Sequence, residues 1–144
     1  MRDPLRATFA HCRNVALAAE RLGFGNLLLP TSYMVGQEVV PFAAGVAPDL
    51  HRMGLLTAIR CGEMHPPMLA RTLATLDHLL EGRLTINIIN SDLPGYREDA
   101  AFRYQRCAET IQILKQAWTA DRIEHEGPVY GKISLPAEPV RPYQ

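Results

Sequence analysis

The chain has 144 residues, with 15 Lys+Arg against 15 Asp+Glu and a formal net charge of +0, a balance that gives no electrostatic reason to expect nucleic-acid binding or an acidic solvating tail. That length suffices for one domain with a real core, expected over 1–144, and the hydrophobic share of 47% is ordinary for a globular protein. No apolar run approaches the roughly 18 residues of a membrane span, and Met1-Arg2-Asp3-Pro4 lacks the apolar centre of a signal peptide, so no membrane partner and a cytoplasmic location are expected.

Residues 1–10 read as a lead-in without a strand. His11 to Leu22 carries Val15, Ala16, Ala19 and Leu22 at helical spacing, with Gly23 as its stop. Asn26 to Leu29 reads as a short buried strand ended by Pro30-Thr31. After a loop, Gln37 to Ala47 reads as a helix with Pro41 in its first turn, ended by Pro48-Asp49. Met53 to Ile59 is a second apolar strand with Arg60-Cys61-Gly62 at its tip. Pro66-Pro67 opens the next helix. Its Leu69, Leu73, Leu76 and Leu80 fall on one face, with Arg71, Thr75 and His78 away from it, and Gly82 is the cap candidate.

Leu84, Ile86, Ile88 and Ile89 form a third strand, read as buried because it lacks polar alternation. Asn87 lies inside that run, and a buried amide without partners costs a few kcal/mol. Asn90, Ser91 and Asp92 gather at the strand's C-terminal end, where α/β proteins place their ligands. Ala100 to Trp118 is a long helix whose expected core face is Tyr104, Cys107, Ile111, Leu114 and Trp118. Ile123–Tyr130 and Ile133–Leu135 read as a hairpin with a Gly-Pro turn, and Pro136, Pro139 and Pro142 predict an extended, irregular tail. Strands alternating with helices of this length predict βαβ units and a parallel sheet.

Several segments carry a family likeness in collinear order. They are Ala18-Ala19-Glu20-Arg21-Leu22-Gly23-Phe24, Leu27-Leu28-Leu29-Pro30-Thr31, Thr57-Ala58-Ile59-Arg60, His65-Pro66-Pro67-Met68-Leu69-Ala70-Arg71, Ala74 to Arg83, Asn87 to Asp92, Arg103-Tyr104, Ile113 to Trp118 and the Gly127 hairpin. Across nearly its whole length the chain resembles the bacterial luciferase-like flavin-dependent monooxygenases, in particular the alkanesulfonate monooxygenase branch. The resemblance implies a TIM (β/α)8 barrel that holds reduced FMN at the C-terminal ends of its strands and oxidises a small organic substrate with dioxygen. It implies a flavin reductase as the source of reduced FMN. It places Ala58, Ile59, Arg60, Asn87 and Asn90 along the flavin ring, and Tyr104 toward the ribityl-phosphate side.

A full barrel takes roughly 250 residues, so the expectation is a partial barrel: the N-terminal segment, starting at the family's first helix and stopping before the strand whose glycine-rich end holds the phosphate. The family's later histidine and arginine substrate residues have no counterpart. Ser32 to Gly36 also lacks the cysteine that the alkanesulfonate branch carries there, which counts against a sulfonate substrate. The alternative to a monooxygenase is a catalytically incomplete barrel segment that acts as an oligomeric or flavin-binding module, a homo-oligomer covering the raw sheet edges.

Each site residue also has a plainer reading. Asn87 fits a core amide satisfied by backbone, Asn90-Ser91-Asp92 fit turn chemistry, Tyr104 fits packing, and Arg60 fits a capped surface cation. Cys61 has no identified base and reads as inert, and His65 reads as loop structure. The three cysteines and five histidines show neither disulfide-framework nor ligand-pair spacing, so no metal is expected. No GxGxxG or GxxxxGK[ST] follows a strand, against a nucleotide-binding fold.

Overall fold

The computed structural model describes residues 8–137 and 141–144; the expected lead-in over 1–7 and the tail position Pro139 lie outside them. The elements are α1 (Phe9–Arg21), β1 (Asn26–Leu29), α2 (Val39–Val46), β2 (Gly54–Arg60), α3 (Pro66–Leu79), β3 (Leu84–Ile89), α4 (Ala100–Thr119), β4 (Arg122–Gly127) and β5 (Gly131–Pro136), with a 3-10 turn at Ala47–Asp49. β1, β2 and β3 form a parallel sheet in that order. β4 and β5 form the expected antiparallel hairpin, which takes in Pro136, so that residue belongs to a strand rather than to an irregular tail.

Local chemistry sets the helix ends. α1 starts at Phe9 rather than His11 because the Thr8 hydroxyl accepts the His11 N–H at 3.2 Å. α2 starts at Val39 rather than Gln37 because the Glu38 carboxylate caps it, accepting Val40 N–H at 3.0 Å. Pro41 lies in the first turn as expected, where its missing N–H leaves no helical bond unmade. α3 opens on Pro66-Pro67, and its Leu69, Leu73, Leu76 and Leu80 are all buried. The chain leaves α3 through Glu81 and Gly82 at φ of 50° and 79°, a left-handed exit that glycine makes without a Cβ penalty.

The sheet register shows which face does what. Leu27, Leu55 and Leu84 lie in line, then Leu29, Thr57 and Ile86, then Ile59 beside Ile88. This face joins the core with Phe42 and Val46 of α2, Leu73 and Leu76 of α3, and Ile113 and Leu114 of α4. The opposite face carries Leu28, Leu56, Ala58, Arg60, Thr85 and Asn87. Leu28 is 53% exposed, and Thr85 and Asn87 are exposed as well. β1 and β3 are therefore not buried strands, contrary to the sequence expectation. Each pairs on one side only among the described residues, and a strand is buried on both faces only between two layers. Asn87 is correspondingly not a core amide.

α4 departs from expectation in a second way. Tyr104, expected on the core face, is 69% exposed. The buried residues are Arg106, Glu109, Thr110, Ile113, Leu114 and Ala117. A face that buries paired charges is invisible to apolar periodicity.

Glu20 ties α1 to the sheet. One carboxylate oxygen accepts the N–H groups of His51, Arg52 and Met53 at 2.9, 2.7 and 2.9 Å. The Met53 and Arg52 bonds lead in lowering its pKa from 4.5 to about 2. A carboxylate with a depressed folded pKa stabilises fully above its ordinary value and loses that contribution as pH falls toward the folded one. Stability should therefore decline between about pH 4.5 and about pH 2, and Glu20→Gln should flatten that stretch of a denaturation-midpoint-against-pH curve. An unchanged acid limb in the variant would refute the assignment.

Candidate functional site at the strand ends

The C-terminal ends of β1, β2 and β3 converge on Arg60. This side chain is 13% exposed and Nε lies 3.0 Å from Glu63. Its Nη1 donates to Ser91 Oγ at 2.5 Å and to the Asp92 carbonyl at 2.6 Å, and its Nη2 donates to the Thr31 carbonyl at 3.3 Å. Arg60 is thus neither a free surface cation nor a free anion binder. It stitches the loops after β1 and β3 to its own strand.

A second set of ion pairs holds the loop from Asn90 to Asp99. Arg103 donates to Asp92 at 2.5 Å and to the Glu98 carbonyl at 2.9 Å. Arg106 grips both Glu98 oxygens, at 2.5 and 2.8 Å. Glu98 in turn accepts Leu93 N–H, and Asp92 accepts Glu98 N–H, both at 3.1 Å. The Arg106 bonds hold the Glu98 carboxyl below its usual range. Sequence reasoning singled out neither Arg106 nor Glu98. The available signal was the acid-rich loop, Asp92, Glu98 and Asp99, followed by arginines at i and i+3 on the helix it enters.

Of the six residues expected at the flavin, Ala58, Ile59 and Arg60 line a cavity of about 550 Å³ beside the ends of β1 and β2. Thr31, Ser32, Tyr33, Glu38, Glu63 and Met64 complete much of its wall. Register alternation sets Ala58 and Arg60 on the open sheet face and Ile59 on the helix-covered one. Asn87 is paired with Ala58 across β2 and β3, on the same open face, but does not line that cavity, and neither do Asn90 and Tyr104. Asn90 follows β3 directly, and its buried Oδ1 makes no hydrogen bond within the protein. An orphaned acceptor at a strand end is a feature that the N–H edge of an isoalloxazine would satisfy, so the Asn90 amide is compatible with a flavin. Glu38 and Glu63 also went unremarked in the sequence, because an N-cap and a loop acid carry no site signature.

Cys61 is 1% exposed, and burial, then the neighbouring Cys107 thiol, pushes its thiol pKa well up, which suits a packed rather than a nucleophilic sulfur. His65 stacks edge-on against Tyr130 at 6.3 Å, as loop structure. Among the described residues no cluster of His, Cys, Asp and Glu is arranged to hold a metal ion, and no helix is long and apolar enough to cross a membrane.

Residues 2–143 match the family model described as luciferase-like monooxygenase. The chain is 56% identical over 140 residues to a sulfoquinovose monooxygenase of Agrobacterium fabrum, covering 97% of this chain and 36% of that protein. It is 41% identical over 133 residues to a sulfoquinovose monooxygenase of Novosphingobium aromaticivorans, covering 88% and 37%. It therefore spans little more than a third of the length of these relatives. Among solved structures, the oxygenating constituent of 3,6-diketocamphane monooxygenase from Pseudomonas putida, a type II Baeyer-Villiger monooxygenase in complex with FMN, superposes with a TM-score of 0.81 at 20% identity, over 96% of this chain and 44% of that one. The architecture is that of a partial TIM barrel, with no closed sheet among the described residues.

Proposed function

Because the chain belongs to the luciferase-like monooxygenase family, we propose that it acts in a reduced-FMN-dependent monooxygenase that oxidises a sulfonated sugar with dioxygen. The observation that carries this reading is the orphaned Asn90 Oδ1 at the end of β3, beside the open face that holds Ala58, Arg60 and Asn87. The names of the two relatives support a sulfonated sugar, although Ser32 to Gly36 lacks a cysteine.

Bound reduced flavin supplies the electron pair with which one atom of dioxygen enters the substrate and the other leaves as water. Asn90 accepts a flavin N–H. Asn87 offers a second amide from the same strand, and Tyr104, exposed at the start of α4, borders the ribityl-phosphate side. Ala58, on the open sheet face, would give the ring an apolar contact, with Ile59 behind it on the helix-covered face. Arg60 positions the loops, with three of its five N–H groups donated to Ser91, Asp92 and Thr31. A flavin reductase supplies the cofactor in reduced form, and the setting is cytoplasmic.

Calorimetric titration with oxidised and dithionite-reduced FMN tests this. Reduced FMN should bind with Kd well below about 1 mM, and Asn90→Ala should weaken it about tenfold through one lost hydrogen bond. Absence of binding by either form removes the cofactor assignment. A second reading is a flavin-binding module without turnover of its own, completed as a homo-oligomer. The outer edges of β1 and β3, unpaired among the described residues, favour it. Flavin binding by a light-scattering dimer without substrate turnover supports that reading, whereas turnover by a monomer excludes it.

A further inference from the structure

The cavity beside the ends of β1 and β2 has a definite polarity. Its charged lining is Glu38, Glu63 and Arg60, one cation against two carboxylates. Arg60 has most of its charge engaged within the protein, because three of its five N–H groups donate to Ser91, Asp92 and Thr31 and Nε lies 3.0 Å from the Glu63 carboxylate. The two carboxylates outnumber that cation and add acceptor capacity to the cavity. Glu38 spends Oε2 on the Val40 N–H, which leaves Oε1. Glu63 meets Arg60 through Oε1, which leaves Oε2. Ser32 Oγ accepts Met34 N–H at 3.2 Å and keeps its own proton to donate. Tyr33, 83% exposed, presents an aromatic face at the same rim.

Two carboxylate acceptors, a hydroxyl donor and an exposed aromatic ring form a set that suits a polyhydroxylated ring. Hydroxyl groups donate to the carboxylates, and the apolar C–H face of the ring lies against the tyrosine. The same set repels an anionic head group. We propose that this cavity is the subsite for the neutral polyol portion of the substrate, with Glu38 and Glu63 as its hydroxyl acceptors, and that it orients the substrate with its anionic group pointing away from Glu38 and Glu63. The assignment rests on the sugar-oxidising reading above and deepens it.

The test uses the whole chain in NMR titrations with two probes. Methyl α-glucoside is a polyol without an anion, and butanesulfonate is an anion without hydroxyls. Methyl α-glucoside should shift the amide signals of Ser32, Tyr33, Glu38 and Glu63 and saturate in the millimolar range. Butanesulfonate should leave those four signals in place. Glu63→Gln and Glu38→Gln should each weaken the glucoside about tenfold; in Glu38→Gln the side-chain amide oxygen still accepts the Val40 N–H, so the α2 cap survives. A glucoside without effect on these signals overturns the proposal. So does butanesulfonate binding at them, or undiminished glucoside affinity in both variants. FMN titration of the same samples separates the two readings. Flavin binding without a glucoside response removes the subsite alone, and loss of flavin binding removes the cofactor site.

Discussion

Glu109→Ala is expected to cost about 3–5 kcal/mol of stability, because it leaves buried donors without their acceptor. The Glu109 side chain is 2% exposed and that of His125 is 4% exposed. One carboxylate oxygen receives His125 Nε2 at 2.9 Å and Tyr130 N–H at 3.1 Å, and the other receives Gln105 Nε2 at 3.0 Å and Val129 N–H at 3.2 Å. Burial pushes this carboxyl up, and the bonds from Gln105, His125, Tyr130 and Val129 outweigh it and hold it below its ordinary value. The group therefore stays charged and anchors the hairpin turn to α4. Urea denaturation followed by circular dichroism checks the figure. Glu109→Gln separates charge from shape, since it keeps the volume but turns an NH2 toward protein donors. It should recover only a minority of the loss. A Glu109→Ala variant within about 1 kcal/mol of the parent would show that water replaces the carboxylate without cost, and the anchor assignment would fall.

Gly127 belongs to the same unit. A Cβ there would lie 2.5 Å from the Glu109 carboxyl, which is held by four donors and has no free direction in which to retreat. The turn therefore depends on glycine here for close approach, and Gly127→Ala should reproduce part of the Glu109→Ala loss.

Local signals were legible in the sequence. Asn26 to Leu29 has the bounds of β1, Pro66-Pro67 opens α3, and the leucine stripe of α3 is buried as its spacing requires. The parallel order follows from the alternation of elements. What the sequence did not convey is non-local. Glu20 meets residues 51–53, Glu109 meets residues 125, 129 and 130, and Arg60 meets residues 31, 91 and 92. A charge that is buried because a distant partner satisfies it looks like a solvated charge when only its neighbours in sequence are seen. For that reason apolar spacing along α4 points to Tyr104 and Cys107, whereas the buried face runs through Arg106 and Glu109. The exposure of Asn87 has another source. Apolar neighbours in a strand imply two covered faces only when a second layer exists, and that layer is not a property of the strand itself.

Arg106→Met is expected to loosen the loop from Asn90 to Asp99 and, with it, the edge on which Asn90 sits. The guanidinium is 6% exposed and binds both oxygens of Glu98, whose side chain is 12% exposed. Removing one partner leaves the other charge without its fork-shaped counter-ion, which destabilises the loop. Loss of the pair also releases the Leu93 N–H, which Glu98 accepts, so amide exchange at Leu93 and Glu98 should accelerate while the hairpin amides keep their protection. Without Arg106 the Glu98 carboxyl returns toward its ordinary value. Because its folded value is depressed in the parent, the pair stabilises above the ordinary carboxylate range and fades as pH falls, and the variant should lack that fading. Arg106→Lys should not rescue the loop, since an ammonium cannot serve both oxygens in a planar fork. Arg106→Met/Glu98→Gln should be more stable than Arg106→Met alone, because the stranded charge is gone. Reduced-FMN affinity should fall at least about tenfold in Arg106→Met. Unchanged exchange at Leu93 and Glu98 would mean that Arg60 and Arg103 hold the loop without Arg106. Accelerated exchange with full FMN affinity would mean that the loop does not set the position of Asn90.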